Sequence, residues 1–114
     1  MMKIIKDKLT IDELRLLARA GLRYMVKAVV DVETEALAVD AELHANLEGL
    51  LMENGSDRKN LWGINFYPDA TEDELVEFDS MINVKPTQGN SSRDVEDRNL
   101  RIKILEIVSK KIQK

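Results

Sequence analysis

The chain has 114 residues and a mass of 13.0 kDa, the size of one domain, with 44% hydrophobic and 33% charged residues, a composition that folds. Residues 1–27 carry seven Lys or Arg against three acids, residues 28–84 two against fourteen, and residues 85–114 eight against four, which excludes a uniformly basic nucleic-acid binder and leaves room for a cation in the middle. There is no cysteine, so disulfide scaffolds, thiolate metal sites and thiol nucleophiles are excluded, and no apolar run approaches the roughly 18–20 residues of a membrane span.

Met2–Lys6 reads as a short strand. The start, with Lys3, Lys6 and Lys8, lacks the apolar stretch of a signal peptide, so a cytoplasmic protein is expected. Thr10 and Glu13 have the capping-box spacing and open a helix to about Tyr24. Leu14, Leu17, Ala18, Gly21 and Met25 form its apolar stripe, and Arg15, Arg19 and Arg23 a basic ridge. The period then changes to two, and Val26–Val32 reads as a strand. Glu33–Glu35 turns the chain. Leu37, Val39, Ala41, Leu43 and Ala45 alternate with Ala38, Asp40, Glu42 and His44, the pattern of a half-buried strand.

A further strand is expected over Glu48–Glu53. Asn54-Gly55-Ser56-Asp57 is a strong turn signal. Leu61–Tyr67 returns as a strand, with Trp62, Ile64 and Phe66 opposite Gly63, Asn65 and Tyr67. Leu75–Lys85 reads as the last strand, Val76, Phe78, Ile82 and Val84 on one face. A polar loop over Pro86–Arg93 leads to a helix capped near Asp97, with a stripe of Leu100, Ile104, Ile107 and Val108. This order predicts a two-layer α+β domain. An antiparallel meander of about five strands would carry the N-terminal and C-terminal helices on one face and polar alternates on the other.

Four constellations carry chemistry. On one strand, Asp40, Glu42 and His44 would project from the same side at steps of about 7 Å. Two carboxylates and an imidazole suit a divalent cation or a general base. With Asn65, Asp79 and Asn83 from neighbouring strands, they would form one polar cluster. The plain alternative is a solvated face and structural amides. Second, Gln88-Gly89-Asn90-Ser91-Ser92-Arg93 combines glycine, hydroxyls and a guanidinium before a helix, a weak anion-site pattern opposed by Asp94, Glu96 and Asp97. Third, Trp62 beside Gly63 is either an aromatic shelf or core. Fourth, the Arg ridge with Lys27 is either a phosphate contact or a solvated helix face.

Three segments, read together, resemble a known family. They are Ala41-Glu42-Leu43-His44-Ala45; Asn54-Gly55-Ser56 followed by Asn60-Leu61-Trp62-Gly63-Ile64-Asn65-Phe66-Tyr67-Pro68; and Ser80 to Arg93. The chain is similar to small prokaryotic proteins classed as a domain of unknown function. The resemblance spans nearly the whole chain and implies a single cytoplasmic domain of bacterial or archaeal origin. It implies no activity. Arg98 stands where relatives are expected to have proline after the Asp97 cap, which bears on helix initiation only.

The expectation is therefore a binding or interaction module that uses the polar sheet face and the 86–93 loop. Glu42, His44, Asn65, Asn83, Gln88, Asn90, Ser91 and Arg93 are its candidate ligand contacts, for a small polar ligand or a protein. The alternative is a hydrolase or lyase built on Glu42, His44 and Asp79, with or without a divalent metal. No other cofactor is expected. Nucleic acid and membrane are not expected partners, and an edge strand offers a route to a homodimer.

Overall fold

The computed structural model describes residues 2–21 and 23–114. The chain begins with two short strands, β1 (Lys3–Ile5) and β2 (Leu9–Thr10). Helix α1 (Ile11–Ala20) starts where the capping box places it. The Thr10 hydroxyl accepts the Glu13 N–H at 3.0 Å, and the Glu13 carboxylate accepts the Thr10 N–H at 3.2 Å. A hairpin follows, β3 (Val26–Asp31) and β4 (Leu37–Val39), then helix α2 (His44–Glu53), strand β5 (Leu61–Phe66) and a two-residue strand β6 (Val76–Glu77). Asp97 caps helix α3 (Arg98–Lys111), accepting the N–H groups of Asn99 and Leu100, and β7 (Ile112–Gln113) pairs with β2. Arg98 fills the first helical position without disturbing that cap.

The main sheet has five strands in the order β1-β4-β3-β5-β6, antiparallel at every pairing. The strand number, the antiparallel pairing and the two terminal helices match the sequence reading, but the order is not the expected meander, because β3 lies between β4 and β5 and β1 pairs with β4. Strand β4 leaves on one side of β3 and β5 returns on the other, with α2 crossing between them. One face packs Ala28, Val30, Leu37, Trp62, Ile64 and Phe66 against Leu14 and Ala18 of α1 and Ile104 and Ile107 of α3. Each fully buried aliphatic side chain there contributes about 1.5–3 kcal/mol. Trp62 is core, 4% exposed, as its apolar alternation with Ile64 and Phe66 implied.

Helix α1 ends at Ala20, capped by Gly21, short of the expected Tyr24, and three further segments differ from the sequence reading. The strand expected to run to Ala45 stops at Val39. Asp40 takes φ +75°, a left-handed conformation that a strand cannot continue through and that Asp tolerates better than most residues. Second, residues 44–53 are helical, not a strand. His44, Leu47 and Leu51 lie on one helical face, and Leu47 and Leu51 cover Val29, Ala38 and Leu61. The second sheet face is therefore roofed by α2 and does not present its alternates to water. Third, the strand expected over 75–85 is two residues long. The Ser80 hydroxyl accepts the Ile82 N–H at 3.2 Å and starts a 3-10 turn, Met81–Asn83.

That turn closes the sheet edge in an unusual way. β5 pairs with β6 only at Asn65 and Phe66. Beyond them, the Asn83 side-chain amide takes the place of a strand. Its Oδ1 accepts the Gly63 N–H at 2.7 Å and its Nδ2 donates to the Gly63 carbonyl at 3.0 Å. At the end of β3, buried Asp31 accepts the N–H groups of Glu33 and Thr34 at 2.8 and 3.0 Å and the Ser56 hydroxyl at 2.6 Å. It ties the hairpin turn to the Asn54–Asp57 turn.

Candidate functional site

Sheet register sets the site. On the α2 face, Lys27 of β3 lies opposite Asn65 of β5, and Asn65 lies opposite Glu77 of β6. The next row inward is Val29, Ala38 and Gly63. The face thus turns from apolar under α2 to polar at one end, where the helix begins.

His44, the first residue of α2, stands at that boundary and is 8% exposed. It lies there because Gly63 leaves room. A Cβ built on Gly63 would meet Ser80 Cβ at 2.5 Å and His44 Cδ2 at 3.1 Å. His44 Nε2 lies 2.9 Å from the Ile64 carbonyl, which accepts only, so Nε2 carries the proton. Burial pushes the imidazole below its ordinary range. The Ile64 carbonyl opposes this, the Lys27 charge adds to it, and the Asn65 amide and Asp79 carboxylate favour the charged form. The ring is therefore neutral at pH 7 and offers Nδ1 as an acceptor.

Asn65 is 3% exposed. Its Nδ2 donates to Glu77 Oε1 at 2.9 Å and to the Asp79 carbonyl at 3.2 Å. Its Oδ1 is the one buried side-chain polar atom among the described residues without a hydrogen-bond partner. Tyr67, the next polar alternate, donates to Glu77 Oε1 at 2.9 Å, and burial together with that carboxylate holds its pKa above the usual phenol value. Arg93 Nε donates to Asp79 Oδ1 at 2.6 Å. The cluster is thus Lys27, His44, Asn65, Tyr67, Glu77, Asp79 and Arg93.

Four of the sequence candidates, His44, Asn65, Asp79 and Arg93, meet at this corner. The others lie elsewhere. Glu42 is exposed and lines a cleft of 200 Å³ with Arg23, Lys27 and Asp40, so Asp40, Glu42 and His44 do not share a strand face. Asn83 and Asn90 are buried, and their amides are taken up by backbone. Asn90 Nδ2 donates to the carbonyls of Asn83, Ser92 and Asp94, and its Oδ1 accepts the Glu96 N–H. The Glu96 carboxylate accepts the N–H groups of Ser91 and Ser92 and the Ser92 hydroxyl, which holds it below the usual carboxylate range. The acids beside the glycine loop therefore organise it. Among the described residues, no three His, Asp or Glu come together as metal ligands, and Glu42, His44 and Asp79 do not converge on a common point.

Gln88 and Asn90 line a second groove of 460 Å³ with Lys59, Trp62, Glu96 and Asp97. Beside it lies Lys85, 8% exposed, its Nζ 5.3 Å from the Trp62 ring centroid and donating to the Arg58 carbonyl at 3.0 Å. Burial lowers its pKa. Reading 75–85 as one long strand hid this lysine, because it then falls among the solvated alternates. The sequence did contain the signal for Lys27, since period-two alternation from Val26 puts it on the face of Val29. Of the basic ridge, Arg15 is paired with Asp12 and Asp69, and Arg19 and Arg23 are exposed.

A family model described as "Protein of unknown function (DUF5674)" matches residues 3–111. The chain belongs to the DUF5674 family. This DUF5674 domain matches no curated protein and no solved structure. None of its described helices is long and apolar enough to cross a membrane.

Proposed function

We propose that this DUF5674 domain is a non-catalytic binding module of the cytoplasm that seats a small polar ligand at the polar end of its second sheet face, over Asn65. The observation that carries this reading is the buried Asn65 Oδ1, which accepts nothing while both of its amide hydrogens are engaged. A buried carbonyl oxygen left without a donor costs about 1–3 kcal/mol, so a partner that supplies an N–H or O–H recovers that much. The His44 ring, whose side chain interacts with that of Asn65, offers its Nδ1 as a second acceptor when neutral. The ligand is thus a hydrogen-bond donor, of the amide, urea, alcohol or amine type. Glu77 Oε1 accepts from Asn65 and Tyr67 and Asp79 Oδ1 from Arg93, which holds both carboxylates in place around the Asn65 amide.

A thermal-shift screen of such compounds tests the reading, because a ligand bound only to the folded state must raise the transition temperature. Hits should lose their effect in Asn65→Ala and keep it in Ser91→Ala, with both variants checked for a native-like amide spectrum. A screen without hits, or hits indifferent to Asn65→Ala, would show the reading to be mistaken.

A further inference from the structure

A third cleft, on the sheet face away from the Asn65 corner, lies between β6, α3 and β7 and has a volume of 470 Å³. Its floor and walls are Leu75, Val76, Leu105, Val108 and Ile112. Leu105, on the outer side of α3, is 44% exposed, although α3 supplies core from its other face. The rim carries Lys8, Lys110 and Lys114; Glu72 pairs with Lys114, and Glu35 lies 3.2 Å from both Lys110 and Lys103, so these four lysines outnumber the two acids that pair with them. That local excess of positive charge stands out on a chain whose net charge is −4. An aliphatic trough beneath a cationic rim is complementary to a molecule with an apolar chain and an anionic head. The volume falls in the range of roughly 300–1,000 Å³ typical of small-molecule sites.

We propose that this cleft binds a small amphipathic carboxylate, an acyl chain ending in a carboxylate group. The chain lies along Leu75, Leu105, Val108 and Ile112. The head sits among the lysines, where Lys114 exchanges part of its ion pair with Glu72 for the ligand. The site is independent of the Asn65 corner.

The test is a titration of the ¹⁵N-labelled protein with dodecanoate below its micelle concentration, followed by amide shifts. Saturable shifts confined to Leu75, Val76, Leu105, Ser109 and Ile112 are expected. Lys8→Glu with Lys114→Gln should weaken binding at least tenfold, and Leu105→Asp should abolish it. Both changes are on exposed side chains, so the amide spectrum without ligand should stay native. Dodecyltrimethylammonium, with the same chain and a cationic head, should bind at least tenfold more weakly. Equal affinity for the two heads would overturn the proposal, as would shifts spread over the surface or centred on Asn65. Binding of an acidic peptide at these lysines, with no dodecanoate binding, would overturn it too.

Discussion

Gly63 is the position where a single methyl group should do the most damage. The Cβ of Gly63→Ala would lie 2.5 Å from Ser80 Cβ, 2.6 Å from Ser80 Oγ and 3.1 Å from His44 Cδ2. The first contact is with a carbon fixed to the backbone, so no rotamer change relieves it. Ser80 is 1% exposed, and its own N–H donates to the Arg93 carbonyl at 3.0 Å, so the 80–93 segment must move outward as a unit. That movement also pulls on the two Asn83 bonds to Gly63. Overpacking of this kind costs about 1–3 kcal/mol, and weakening an edge bond adds about 1 kcal/mol, so a loss near 3 kcal/mol is expected. Urea unfolding should show a lower midpoint at an unchanged slope. Ser80→Gly removes the clashing carbon. By itself it should cost about 1 kcal/mol through the lost cap on Ile82. Together with Gly63→Ala it should cost less than the two single changes added, a coupling of about 1–2 kcal/mol. A Gly63→Ala loss under 0.5 kcal/mol, or strictly additive costs, would refute the packing argument.

Two further predictions concern titration. His44 is the only histidine, and burial depresses its folded-state pKa below the ordinary 6.5. The unfolded chain therefore binds a proton first as the pH falls, so stability is full above about 6.5 and declines from there down to the folded-state value. Urea midpoints measured between pH 7.5 and 5 should show this decline in the wild type and not in His44→Gln. Asp31 is also depressed from its ordinary 3.8. Burial works to raise it, but the Ser56 hydroxyl and the Thr34 and Glu33 N–H groups prevail. Its contribution is present above about 3.8 and is lost as the pH drops through the folded-state value. Asp31→Ala at pH 7 should cost about 3 kcal/mol, since two turn N–H groups lose a charged acceptor. A loss under 1 kcal/mol would mean that water replaces the carboxylate.

How far the sequence could be read depended on the distance over which each signal acts. The Thr10–Glu13 box, the Asp97 cap and the alternation of Trp62, Ile64 and Phe66 are local, and each element starts where it was expected, although α1 stops at Ala20 and not near Tyr24. The 37–45 segment shows where alternation is ambiguous. Leu43, Leu47, Leu50 and Leu51 also have helical spacing, and α2 has no side-chain cap to mark its start. Asp40, with its left-handed φ, decides the outcome, and nothing in the neighbouring sequence demands that conformation. The site was legible to the same degree. His44, Asn65 and Asp79, grouped in the sequence by their polarity, come together in the fold, although His44 arrives on a helix and Asp79 on the segment after β6. Asn83 and Asn90 look like ligand contacts in one dimension, because their partners are backbone groups of Gly63, Arg93, Ser92, Asp94 and Glu96 that come close only in the fold.

The Asn83 amide that completes the sheet edge also bears on how the domain comes apart. Strand β5 gains its six-residue pairing with β3 without any help from the 80–93 segment. The two bonds from Asn83 to Gly63, by contrast, exist only once that segment is seated, with Ser80 pressed on the glycine and the Arg93 carbonyl in reach. Such contacts are expected to form last, after the folding barrier has been crossed. Changes there alter the rate of escape from the native state and leave the rate of entry alone. Stopped-flow chevrons of Asn83→Ala should show a steep rise in the unfolding rate and a refolding limb superimposed on the wild type. A slowed refolding limb would mean instead that this edge is part of the nucleus. On this account the 80–93 segment acts as a latch, and it governs the lifetime of the native state more than the choice of fold.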